Sequence, residues 1–148
     1  MSNIKLTNDT ITVGDQILYR IEAIKDILIH GVKAGDKGGY VAKLEQIQGN
    51  AWVGDTAWVS GNAKVSGNAW VYGDAKVSGN AWVADNARVY GGAWIYGNAW
   101  IYGNAGVTDN ARVADNAVVF DNAWVSGDAQ VSGDAQVFGN AWVCGDAR

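Results

Sequence analysis

Gly79-Asn80-Ala81-Trp82-Val83-Ala84, Asp85-Asn86-Ala87-Arg88-Val89-Tyr90 and Gly91-Gly92-Ala93-Trp94-Ile95-Tyr96 are three successive copies of one six-residue unit. Each opens on Gly or Asp, continues chiefly with Asn or Asp, and then reads Ala, a variable residue, Val or Ile, and a second variable residue. Reading outward in both directions, the register holds without insertion from Gly49 through residue 148. Alanine recurs at every sixth position from Ala51 to Ala147, and Val or Ile follows two residues later from Val53 to Val143. A period kept this strictly marks a repeat architecture, in which no unit buries its apolar face alone and stacked neighbours build one continuous core.

Alternate side chains of a strand point to opposite faces, so the valine of each x-Val-x triplet faces inward and its neighbours face out. Between triplets, glycine, asparagine and aspartate tolerate positive φ, which valine and alanine do not. Each hexad is therefore one short strand and one corner. Alanine after the corner points inward where a larger side chain would clash, and together with valine it fills a narrow interior. Three hexads close a triangular coil, and residues 49–148 supply roughly five and a half coils stacked at the usual strand spacing. The fold class expected is all-β, a parallel β-helix.

Residues 1–48 lack the hexad. Segments 10–13 and 16–23 are rich in β-formers and flank Gly14-Asp15, a hairpin signal. They are expected to form a β-hairpin cap with Ile17, Tyr19 and Ile21 as its core, because an open β-helix end exposes unpaired backbone groups and apolar side chains. At the other end the hexads run to Arg148, leaving an edge expected to fray, to pair with another copy or to meet a partner.

The pattern resembles the hexapeptide-repeat superfamily, which places a small residue two positions before a buried aliphatic one and three hexads in each turn. The lead-in Tyr19-Arg20-Ile21-Glu22-Ala23-Ile24-Lys25-Asp26, followed by Gly31-Val32-Lys33-Ala34-Gly35-Asp36-Lys37-Gly38-Gly39-Tyr40-Val41, is similar to that of YdcK-like "polymer-forming" proteins of bacteria and phages. The resemblance implies a left-handed helix and little chemistry. It also implies rods that pack as oligomers and, from the phage relatives, an accessory protein that docks on a host factor such as a defence nuclease.

A formal charge of -4 and a pI near 4.7 argue against a nucleic-acid binder, which shows clustered Lys and Arg. The single cysteine, Cys144, makes no intramolecular disulfide. With no signal-like start and no apolar stretch of membrane-spanning length, a cytoplasmic protein is expected, in the host cytoplasm if phage-encoded.

No catalytic, metal or cofactor site is expected. Acyltransferases of the superfamily place a catalytic histidine on or near the coils and extrude a substrate loop. Here the lone histidine, His30, lies in the leader and no loop interrupts the hexads. One histidine also falls short of the three-histidine metal site of the fold-related carbonic anhydrases. Cys144 has no paired base near it in sequence. Flat Thr ladders of the ice-binding kind are excluded, since the coils hold only Thr56 and Thr108.

What remains is surface. Asn50, Asn68, Asn86, Asn104, Asn122 and Asn140 stack along one corner, where amides support turns. Asp55, Asp74, Asp109, Asp128 and Asp146 gather on a second corner as an acidic edge able to meet a basic partner. All eight tryptophans fall on outward positions. Trp82, Trp100, Tyr102, Phe120 and Phe138 share one face, Trp94 and Tyr96 the next, and Trp70, Tyr72 and Tyr90 the third. Cross-strand aromatic ladders stabilise coils, and exposed aromatic patches also mark interfaces. The expected function is non-catalytic protein–protein binding, with a protein partner or in a homodimer or homotrimer, without direct nucleic-acid or membrane contact. Alternatives are a self-assembling structural rod, a carbohydrate-binding module and an acyltransferase-like enzyme.

Overall fold

The structure, a computed structural model, describes residues 3–147. From Trp52–Val53 to Trp142–Val143 every hexad forms one two-residue strand. Each strand pairs in parallel with the strand one coil on, 18 residues away, as Trp52 with Trp70 and Val53 with Val71. The result is a three-sided parallel β-solenoid with sheets of six, eight and five strands. The first face carries Val53, Val71, Val89, Val107, Val125 and Val143; the second carries Val59, Val77, Ile95, Val113 and Val131; the third carries Val65, Val83, Ile101, Val119 and Val137.

The inward residues are sealed as the alternation demands. Val53 through Val125 and Ala57 through Ala129 are almost wholly inaccessible to solvent. No corner departs from the hexad length, so backbone N–H groups bond coil to coil along all three sides, as in Trp82 to the Ala99 carbonyl and Ala84 to the Ile101 carbonyl. Positive φ falls on the first corner residue, where glycine dominates and Asp55, Asp85, Asp109, Asp115 and Asp121 are the non-glycine occupants.

The leader closes the lower end. Strands β1 (Ile4–Val13) and β2 (Gln16–Ala23) form the antiparallel hairpin around Gly14-Asp15, and β3 (Lys37–Val41) pairs antiparallel with β2. On its other edge β3 is parallel to the coil, Tyr40 against Trp58 and Val41 against Val59, so the 18-residue stacking starts ahead of the hexad register. β1 is longer than the segment legible as a strand. Ladder irregularities in β1 and β2 shift which side chains face in: Leu18 and Ile21 are buried, whereas Ile17 is exposed and Tyr19 half-buried.

Polar leader side chains stand in for the coil that would lie beneath. Asn3 donates from Nδ2 to the Gly49 carbonyl (3.0 Å) and to Asn50 Oδ1 (3.1 Å). Gln16 Oε1 accepts the Gly61 N–H at 2.7 Å. Buried Gln46 accepts from the Ala42 and Lys43 amides and donates to the Gly61 and Ala63 carbonyls, satisfying its whole amide group.

Candidate functional site

The outward positions stack at the coil repeat, so identical residue types become columns. On the third face Trp82 and Trp100 lie parallel, with centroids 5.4 Å apart, and Tyr102, Phe120 and Phe138 continue as a second column at 5.2 and 5.3 Å. Trp100 leans against Tyr102 at 5.1 Å and joins the two. Trp82, Trp100 and Phe138 keep 39%, 42% and 54% of their surface in solvent, which makes this an apolar strip that the chain leaves uncovered.

The second face is built differently. Lys76 Nζ lies 5.2 Å from the Trp58 ring and 5.8 Å from Trp94, Arg112 stands over Trp94 from the other side, and Tyr96 leans on Trp94 at 5.0 Å. Cations therefore alternate with rings, each contact favoured by the ring quadrupole.

The first face carries a continuous run of rings: His30 and Trp70 at 5.0 Å, Trp70 and Tyr72 at 4.4 Å, Tyr72 and Tyr90 at 4.8 Å, Tyr90 and Trp124 at 6.1 Å. Here one expectation fails, since Trp52 is buried rather than outward. The leader folds over it so tightly that a β-carbon on Gly38 would come within 2.8 Å of its ring. Burial lowers the pKa of His30 from its ordinary value and the Arg88 charge adds to the effect, while the backbone of Asn50 and Asn68 works against it. Burial likewise raises that of Tyr72.

Several indoles also have a structural task that the sequence reading missed. Trp82, Trp94 and Trp142 lie back on the preceding coil and donate from Nε1 to the hydroxyls of Ser66, Ser78 and Ser126, each 16 residues earlier. The signal was available as a Ser/Trp pair at constant offset. Trp124 settles on Gly106, where an added β-carbon would meet the ring at 2.8 Å.

The five aspartates of the acidic edge separate into two kinds. Asp55 and Asp109 occupy the positive-φ position, and their carboxylates accept the N–H of Gly73 and Gly127 in the next coil at 3.1 and 3.0 Å. Asp85, Asp115 and Asp121, on the other corners, do the same for Gly103, Gly133 and Gly139. Asp74 and Asp128 occupy the second corner position and accept from the Thr56 hydroxyl and the Asn110 amide, and Asp146 is exposed in the last coil. This corner lies between the first and second faces, opposite the uncovered third face, so the acidic edge and the third-face strip do not form one surface.

The asparagine column is a directional ladder, each Nδ2 donating to the Oδ1 one coil on from Asn50 to Asn140. Beside it on the first face, Ile29, His30, Asn68, Trp70, Asn86, Arg88 and Asn104 line a recess of about 300 Å³. Cys144 is exposed at the far end of that face. Among the described residues no helix is long and apolar enough to cross a membrane.

A family model described as "YdcK Beta solenoid repeat" matches residues 57–73 and 129–145, two stretches within the coils. No curated protein matches the chain.

Proposed function

We propose that the protein is a non-catalytic scaffold that associates with other protein surfaces through the third face, with a second copy of the chain as its first partner. The observation that carries this reading is the register of Trp82 with Trp100 and of Tyr102 with Phe120 and Phe138, an exposed apolar strip on a rigid side. The first face is partly covered by the leader and the second is interleaved with cations, whereas on the third Lys64 stands over Trp82 at the lower end and the rings from Trp100 to Phe138 continue as a contiguous apolar surface for a partner. Docked rings of this kind are the usual centres of binding energy in interfaces. The solenoid repeat that the family model matches is consistent with a scaffold role.

The resemblance of the leader extends the proposal to a phage or prophage accessory protein whose outside partner is a host factor such as a defence nuclease. In that reading the acidic corner meets a basic surface separately from the aromatic strip.

The test compares wild type with Trp100→Ser/Phe120→Ser, once circular dichroism shows both folded, by multi-angle light scattering and by capture from a host lysate. Trp58→Ala, on the second face, serves as a control for loss of a ring elsewhere. Wild type and control are expected to form a dimer or trimer, or to retain one protein, and the third-face variant to lose it. Equal mass and equal captured proteins for all three would remove the reading.

A further inference from the structure

The recess on the first face has a chemical character of its own. Reading up the column of residues that precede the first-face valines gives Trp52, Trp70, Arg88, Gly106, Trp124 and Trp142. Arg88 is the only charge in that column, and the next residue, Gly106, has no side chain to cover it. The Arg88 guanidinium has no ion pair and no hydrogen bond among the described residues, unlike Lys5 and Arg20 of the leader.

The side chains that line the recess beside Arg88 are rich in donors. In the ladder, Asn68 donates to Asn86 and Asn86 to Asn104, so each Oδ1 accepts one hydrogen bond from the neighbour below and each Nδ2 gives one to the neighbour above. A side-chain amide nitrogen carries two hydrogens and the ladder uses one, which leaves N–H groups of Asn68, Asn86 and Asn104 to serve the recess. A guanidinium has five donors and no acceptor, and an indole has one donor and no acceptor.

Two further polar atoms are unresolved by the chain itself. His30 Nε2 and Trp70 Nε1 are the buried side-chain nitrogens that find no hydrogen-bond partner among the described residues, and both belong to side chains lining this recess. The reason is visible for Trp70. Sixteen residues before Trp82, Trp94 and Trp142 stands a serine that accepts the indole hydrogen, but sixteen before Trp70 stands Gly54. Buried polar nitrogens without a partner are uncommon and each calls for a physical explanation.

We propose that this recess binds a carboxylate, held by the Arg88 guanidinium and the amide hydrogens of the asparagine ladder, with Trp70, His30 and Ile29 as the wall against which the rest of the ligand packs. A carboxylate matches the planar guanidinium fork two-to-two and brings the single negative charge that one arginine balances. A phosphate dianion would be better balanced by a second cation, and among the described residues no lysine or second arginine lines the recess. The carboxylate belongs either to a free small organic acid or to an acidic side chain of a partner protein, and both present the same chemistry. The site lies on the first face, so its loss leaves the third-face strip untouched, and the two proposals fail separately.

The experiment is a titration of the ¹⁵N-labelled full chain with sodium acetate, with the peptide acetyl-Gly-Glu-Gly-amide and with sodium phosphate, each at constant ionic strength set by chloride. The Trp70 indole N–H resonance is identified from its loss in Trp70→Phe, and Arg88→Gln provides the binding variant. Acetate or the peptide is expected to shift the Trp70 resonance saturably below about 10 mM and to raise Tm, with Arg88→Gln weakening both by about tenfold or more. Saturation by acetate identifies a free acid as a sufficient ligand, and saturation by the peptide alone identifies an acidic side chain. No saturable shift with either probe, an equal response to phosphate, or an undiminished response in a folded Arg88→Gln chain would overturn the proposal.

Discussion

At the scale of the residue, the aspartates at positive φ show how a strained position is made stable. A non-glycine residue there costs about 1 kcal/mol relative to glycine, and a carboxylate that accepts a backbone N–H from the next coil offsets it. All five follow one rule: 18 residues after Asp55, Asp85, Asp109, Asp115 and Asp121 stands a glycine whose amide the carboxylate takes. At this first corner position the next coil therefore never stacks a second carboxylate directly on the first, which avoids like-charge repulsion there. Asp115→Ala keeps the strain and removes the acceptor, and is expected to lower stability by about 2 kcal/mol, whereas Asp115→Gly relieves the strain and lowers it by about 1 kcal/mol or less. Chemical denaturation midpoints of the two variants check this ordering, and Ala at or above Gly would refute the account. Wrapping the sequence at the coil length makes the rule legible in advance. Reading Asp55, Asp74, Asp109, Asp128 and Asp146 as one acidic edge treated their carboxylates alike, whereas Asp55 and Asp109 are tied to backbone and Asp74 and Asp128 accept from Thr56 and Asn110.

At the scale of the element, the strands are too short to define themselves and owe their shape to what stacks above and below. The triplet rule assigned the inward valines and alanines correctly because period two within a strand and period 18 between coils leave no other arrangement. It could not tell an indole that projects from one that lies back, since both occupy the same outward position; the residue 16 positions earlier, a serine for Trp82 and a glycine for Trp70, decides whether the indole N–H finds an acceptor, and Trp52 is buried instead by the leader at Gly38. The leader was less legible still. Its hairpin was marked by Gly14-Asp15, but Leu18 rather than Ile17 is buried, and the ladders of β1 with β2 and of β2 with β3 each carry an irregularity that strict alternation does not anticipate. The carboxylate recess was invisible because it joins His30 of the leader to Arg88 of the coils. Gly106 and Trp124 offer a direct test of indole packing. Gly106→Ala should cost about 1 kcal/mol or more by displacing the ring, yet be neutral or stabilising in a Trp124→Ala background, giving a positive coupling in a double-mutant cycle read by thermal denaturation.

At the scale of the whole molecule, stability is shared between neighbouring coils, and the leader is the unit that seals the first of them. Its approach is so close that a β-carbon on Gly39 would run into the Ala57 carbonyl. Gly39→Ala is therefore expected to undock the leader, lowering stability by about 3 kcal/mol and raising amide exchange from β1 through the first coil, while the central coils around Val89 and Val107 stay protected. Uniform loss of protection along the chain, or none, would contradict this partition. The constant 18-residue repeat has one more consequence, for how such a chain can change length. Inserting one hexad between Trp82 and Trp100 would turn everything downstream by a third of a revolution and carry Trp100 onto a different side of the prism. Adding three hexads would restore the phase and extend the rod by one floor, with each column still vertical. Growth or shrinkage by whole floors is thus the form of length variation that leaves both the ringed side and the amide ladder intact, and near-identical hexads make such exchanges accessible to ordinary recombination.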